Sequence, residues 1–119
     1  MAHPADRLVM AEDPQTFFDD RAPRSTERIR AGLPENVVVV FHIDGLGGGS
    51  WQVSNRHDRT IGPVTEGPKD CIMRCSSDDF MAILRNQLKP LDAFGDGRLV
   101  VSGDIGLILK LRRMFISAF

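Results

Sequence analysis

The chain has no tyrosine, one tryptophan, two cysteines and three histidines among its 119 residues. Each shortage excludes something. Cys71 and Cys75 have no companion Cys or His at metal-ligand spacing, so a structural zinc site is excluded. They stand four residues apart in a segment, 70–76, that reads as a strand. Four strand residues span about 13 Å, too far for a disulfide. Two reduced thiols, and with them a reducing intracellular compartment, are the expectation. No stretch approaches the roughly 18 apolar residues of a membrane span, and the first residues lack the apolar run of a signal peptide. The ending Ile116-Ser-Ala-Phe119 is not a peroxisomal Ser-Lys-Leu type of address, which leaves a cytoplasmic location as the expectation. An excess of either charge is missing too. Fifteen Lys and Arg face sixteen Asp and Glu, which excludes the positive field that a nucleic-acid partner requires.

What is present suits one folded domain. Hydrophobic residues make up 42% and charged residues 26%, and a chain of this length buries enough surface to need no disulfide or metal staple. Residues 1–13 read as a loose polar tail and residues 14–119 as the single domain. Seven phenylalanines dominate the aromatics. Phe adds apolar area without a polar handle, which suits a greasy cavity and an ordinary core alike.

Local patterns give the element order. Pro14 opens a short helix carrying Phe17 and Phe18, which Ala22-Pro23 is expected to break, and a second helix runs from Ser25 to Gly32-Leu33-Pro34. Residues 37–44 are apolar on both faces until His42, the mark of a central strand. The glycines between Gly45 and Ser50 make a turn into a second strand at 51–54, hence a hairpin. A third strand, 60–64, contains Gly62-Pro63 and belongs at an edge; a fourth covers 70–75. Ser76 and Asp79 have capping-box spacing and start a helix. Phe80, Ile83, Leu84 and Leu88 share its apolar side, and it is expected to stop near Lys89-Pro90. Gly95-Asp-Gly97 turns into a strand at 98–102, and a last helix runs from Asp104 or Ile105 to about Phe115. The sum is an α+β domain, one mostly antiparallel sheet covered by helices.

Signs of chemistry are weak. The glycines at 45–49 resemble a phosphate loop, but a strand and not a helix follows them. His42 and Asp44 fall on one strand face and could form a general base, yet no Ser or Cys nucleophile in a sharp strand-to-helix turn accompanies them. Asp78 and Asp79 suit a helix start, and Arg112 and Arg113 suit a helix end, by the helix dipole alone. Either arginine could also meet a lipid headgroup or a coenzyme phosphate.

The last helix is the most informative element. At about 100° per residue its apolar side chains spread over roughly 220° of circumference, against a stripe of about 100° for an ordinary surface helix. Such an arc calls for two apolar surroundings: the sheet on one side, and a neighbouring helix, a second subunit or a ligand on the other.

Taken in order, Asp70-Cys-Ile-Met, Ser77-Asp-Asp-Phe-Met81, Leu88-Lys-Pro90, Ala93-Phe94, Gly97-Arg98-Leu99, Ser102-Gly103-Asp104 and the apolar run from Leu107 to Leu111 resemble the sterol carrier protein-2 family. The Phe-rich first helix, the valine strand and Gly-Gly-Gly-Ser-Trp51 agree more loosely, so the resemblance covers roughly residues 14–115. It implies a five-stranded sheet with helices packed on one side, enclosing an apolar tunnel, and a non-catalytic carrier without a cofactor. The ligands implied are fatty acid, fatty acyl-CoA, phospholipid or sterol, with transient membrane contact, in a monomer or weak dimer. Carried over, Trp51, Phe80, Leu84, Leu91, Phe94, Ile105, Ile108 and Leu109 would form the tunnel wall, with Arg112 and Arg113 near the headgroup. Some relatives carry glutamine where Leu91 and Leu109 stand, so a drier cavity suited to plain alkyl chains is implied. The competing expectation is an interaction or scaffold module of lipid metabolism, with the same fold and a cavity filled by side chains.

Overall fold

The valine strand occupies the centre. In β1 (Val38–Asp44) the residues Val38, Val39, Val40, Phe41 and Ile43 are all buried, as a β-branched run is when both strand faces are covered. β1 is the middle strand of a five-stranded sheet ordered β3-β2-β1-β4-β5, in a computed structural model that describes residues 12–116. β2 (Gly49–Ser54) pairs antiparallel with it, setting Trp51 opposite Phe41. β3 (Ile61–Gly62) adds a two-residue antiparallel edge. It is shorter than the expected 60–64, because Pro63 has no N–H to extend the ladder. β4 (Cys71–Ser76) runs parallel to β1, with Met73 opposite Phe41, and β5 (Val100–Gly103) pairs antiparallel with β4 at the other edge. The sheet is therefore mixed, antiparallel except at its central β1–β4 pair.

The hairpin reading of the glycines holds. Gly45 and Gly47 take positive φ, and the Gly48 N–H donates to the Gly45 carbonyl at 3.0 Å. The first helical region departs from expectation. α1 (Pro14–Thr16) continues without a break through a π turn, Phe17–Arg21, and a 3-10 turn, Ala22–Ser25, into α2 (Thr26–Gly32). Pro23 would disrupt a regular α-helix. Here the Ala22 N–H reaches back to the Phe17 carbonyl, and the widened turn passes Pro23 into the first positions of the 3-10 turn. Both Phe17 and Phe18 are buried as a result.

α3 (Ser77–Leu84) begins as its spacing predicts, with Ser76 Oγ accepting the Asp79 N–H at 3.1 Å. The Asp79 carboxylate lies 3.7 Å from Arg98. The helix ends well before Lys89-Pro90. Asn86 takes the left-handed conformation, its N–H donates to the Ile83 carbonyl at 3.2 Å, and the Gln87 N–H donates to the Ala82 carbonyl at 2.8 Å. This is a Schellman stop, with asparagine in the place glycine usually takes. Pro90 instead opens a further short helix, α4 (Pro90–Gly95), a position that suits proline. α5 (Ile105–Ile116) follows Gly103, whose φ of 96° and approach to the Asp70 carbonyl leave no room for a side chain.

The helices cover the sheet face that carries Val39, Phe41, Ile43, Val53, Met73 and Cys75, and the hydrophobic core lies between. On the opposite face the Gln52 side-chain Oε1 accepts from the Thr65 N–H, and Ser54 Oγ accepts from the Arg56 and His57 N–H groups. Of the expected tail, residues 1–11 lie outside the described residues. Glu12 is buried, 2.8 Å from the Arg21 Nε, and Asp13 caps α1.

Cys71 and Cys75 are free and face the core from β4. Burial, reinforced by Asp104 and Asp70, pushes the Cys71 thiol up to about 11; burial, with Asp79 and Asp44, pushes Cys75 up to about 12. A thiol whose pKa is raised on folding stabilises the fold below its unfolded pKa and loses that contribution as pH climbs toward the folded value. The native protein at pH 8 is expected to leave both thiols unreacted with a thiol-exchange reagent and to titrate two after denaturation. Its Tm should fall between pH 9 and pH 12; two fast-reacting thiols in native protein would contradict this placement. Replacing the cap, Ser76→Ala, should lower stability by about 1 kcal/mol in a urea titration, with an unchanged denaturant slope.

Candidate functional site

Five phenylalanine rings meet between β1, α3, α5 and the first helical region. Phe17 lies edge-on to Phe115 at a centroid distance of 5.0 Å and to Phe80 at 5.9 Å; Phe18 lies 5.4 Å from Phe41 and 5.5 Å from Phe80. Trp51 extends the cluster outward, stacked on Phe18 at 4.5 Å and 16°. Offset and edge-to-face arrangements of this kind add to the value of the buried area itself.

Where α5 crosses α3 the rings leave an apolar pocket of about 20 Å³, lined by Phe41, Met73, Phe80, Ile83 and Leu84 from the sheet and α3 and by Ile108, Leu111, Arg112 and Phe115 from α5. Ligand pockets run from about 300 Å³ upward. Among the described residues the space expected as a tunnel is filled by the rings, and its remnant is too small for an alkyl chain. A larger groove of about 300 Å³ opens at the β2–β3 edge, bordered by Phe18, Trp51, Ile61 and Arg59.

The anticipated wall residues separate into three groups. Phe80, Leu84 and Ile108 come together around the pocket. Trp51 sits half-buried at the groove, on the far side of Phe18. Leu91 and Phe94 share the outer face of α4 and are 57% and 46% exposed, while Ile105 and Leu109 are half-buried on α5 and outside the pocket lining. The wide arc of α5 thus resolves into two stripes. Leu107, Ile108, Leu111 and Phe115 are buried in the core; Ile105, Leu109 and Ile116 form a second, half-exposed stripe beside Arg112. The buried stripe meets both the sheet and the neighbouring helices α2 and α3, while the second stripe is left partly in solvent among the described residues.

Phe17, Phe18, Phe41 and Phe115 border the candidate site without having been expected as its wall. Their signal in the sequence is the Phe-only aromatic set; what hides it is that a core ring and a cavity ring obey the same periodicity.

Charge is sparse here. Arg112 is half-buried at the rim of the pocket, where its Nε donates to the Ile83 carbonyl at 3.3 Å and its Nη2 to Asn86 Oδ1 at 2.6 Å. Arg113, about 100° further round the helix, is exposed. His42 and Asp44 do not form a couple: the His42 Nδ1 lies 2.7 Å from Ser50 Oγ, and Asp44 pairs with Arg74 at 3.2 Å. No helix of the described residues is long and apolar enough to cross a membrane.

Comparison with known proteins gives a consistent picture. The chain is 34% identical over 79 residues to hydroxysteroid dehydrogenase-like protein 2 of Danio rerio, covering 65% of this chain and 19% of that protein. It is 30% identical over 81 residues to sterol carrier protein 2 of Homo sapiens, covering 65% of this chain and 15% of that protein. The chain thus matches about a fifth or less of the length of these relatives. Among solved structures, palmitated SCP2L2 from Aedes aegypti shares the fold, with a TM-score of 0.63 and 21% identity over 87% of this chain and 95% of that one. The SCP-2 sterol transfer family matches residues 23–115, from the 3-10 turn to the last core ring of α5. The five-stranded sheet, the helices on one face and most of the chain's length fall within that match, and the chain belongs to the SCP-2 sterol transfer family.

Proposed function

We propose that this chain is a non-catalytic carrier that shelters one alkyl chain between β1, α3 and α5. The observation that carries the reading is the pocket under α5, whose lining is apolar apart from one arginine at its rim. Family membership supports it, as does a fold neighbour described as palmitated. Each methylene moved out of water contributes about 0.8 kcal/mol, so a long acyl chain gains several kcal/mol on burial without any covalent step. Fatty acid and fatty acyl esters fit a narrow space between rings better than the rigid, broad ring system of a sterol. The alkyl chain enters as α5 loosens from α3, and the two free thiols are compatible with a reducing, cytoplasmic setting.

A second reading rests on a different observation. Leu91 and Phe94 project from α4 into solvent although the interior behind them is filled, which suits an interaction module of lipid metabolism with little lipid binding.

Native mass spectrometry of freshly purified protein, followed by solvent extraction, is expected to show one co-purified acyl lipid per chain, or uptake of one added oleate. The variant Ile108→Trp fills the pocket and should lose that adduct. Overpacking of this kind costs about 1–3 kcal/mol, so its far-UV circular dichroism should remain native. A clean apo mass that also fails to take up oleate would sink the carrier reading, and concentration-dependent sizing that disappears in Leu91→Ser/Phe94→Ser would then favour the interaction module.

A further inference from the structure

Arg112 is held in an unusual way for a half-buried cation. It lines an otherwise apolar pocket, yet no carboxylate stands within ion-pair distance of it among the described residues. It donates instead to two neutral acceptors, the Ile83 carbonyl at 3.3 Å and Asn86 Oδ1 at 2.6 Å. A guanidinium has five N–H donors in a planar fork made for two parallel bonds to a carboxylate. Two of the five are used here, on acceptors that do not present that geometry. A partly desolvated charge without a counter-charge is a cost that an arriving anion removes.

Both acceptors can do without Arg112. The Ile83 carbonyl already takes the Asn86 N–H of the helix stop, at 3.2 Å, and Asn86 is exposed, so water replaces the lost bond at its Oδ1. These two bonds are also the polar ties between the middle of α5 and the end of α3. They join the two helices whose separation would open the pocket.

Resting on the carrier reading, we propose that Arg112 is the anion anchor of the site and, in the unliganded protein, the latch that holds α5 on α3. A carboxylate-headed single-chain lipid exchanges the two neutral acceptors for a bidentate ion pair and is selected over a neutral lipid of the same chain length. The half-exposed stripe Ile105, Leu109 and Ile116 lies on the same flank of α5 as Arg112. It gives the helix an apolar surface to present to the ligand once it has lifted.

The test measures equilibrium dialysis of labelled oleate and labelled oleyl alcohol at pH 8, where the acid is ionised and the alcohol is neutral. Wild type is expected to bind oleate about ten-fold more tightly than oleyl alcohol, the size of effect that one charge-assisted pair provides. Arg112→Gln removes anchor and latch together, so it should lose that ratio, with oleate bound more weakly than by wild type and oleyl alcohol bound as tightly or several-fold more tightly, while Lys110→Gln, on the exposed side of α5, keeps it. Asn86→Gly retains the left-handed stop but removes the competing oxygen, and should bind oleate several-fold more tightly than wild type. An unchanged ratio in Arg112→Gln, or an equal loss of both ligands, overturns the anchor, and unaltered oleate binding in Asn86→Gly overturns the latch. Binding of neither ligand by wild type would remove the carrier reading itself, an outcome distinct from both.

Discussion

The packing of Phe18 against Trp51 on one side and Phe41 and Phe80 on the other is the contact on which the rest of the structure depends. It ties the first helical region to the sheet and to α3 through a single residue. Phe17, next to it, reaches Phe115 and so brings in α5. Two adjacent residues can serve two helices because the π turn widens the chain at that point. No ring in the five-phenylalanine cluster carries a hydrogen-bonding group, so nothing polar specifies how the rings sit. Their arrangement is set by shape and by dispersion, summed over many weak contacts. A core of that kind can be rearranged without leaving a buried polar group unpaired.

The polar contacts lie around this interior. Ser76 fixes the start of α3, Asn86 its end, Asp104 the start of α5, and Asp70 holds the β1 N–H at Val38 at 2.8 Å. These bonds set where each helix begins and in which direction it leaves the sheet. They say little about how closely α5 lies on α3, which is left to the apolar pocket and to Arg112.

Much of the fold was legible in the sequence, and what was not has physical reasons. The valine strand, the hairpin, the Ser76 cap and the last helix were readable because each has a local cause: β-branching, glycine, a capping oxygen, a helical period. The parallel β1–β4 pairing is non-local, joining strands separated by β2, β3 and their loops, and no local pattern encodes it. Pro23 was misread as a break because a π turn is a rare escape from proline's constraint. Pro90 was read as the end of a helix that Asn86 had already stopped, since asparagine in the left-handed conformation leaves a weaker trace than glycine. Of the expected wall residues, Phe80, Leu84 and Ile108 come together around the pocket, where Phe41 and Phe115 join them without having been expected. Periodicity reports which side chains leave water; it does not report whether they meet one another or a ligand. Leu91 and Phe94 show the converse, being apolar and family-like in position yet turned to solvent on α4.

A filled interior and a lipid-binding reading are compatible, because the exchange is between like surfaces. Opening the pocket into empty space would forfeit the contacts of Phe80, Ile108 and Phe115 and leave a void, at roughly 24 cal/mol per Å³ of cavity. A cavity of about 300 Å³ would on that scale cost about 7 kcal/mol, so an unfilled opening of that size is disfavoured. An alkyl chain of about fifteen methylenes gains about 12 kcal/mol on leaving water and fills the same volume as it enters. The cavity cost then does not arise, and the gain is set against the ordering of the chain and the lifting of α5. On the carrier reading, opening therefore turns on two things, the shape-set packing of the rings and the two Arg112 bonds that cross from α5 to the end of α3.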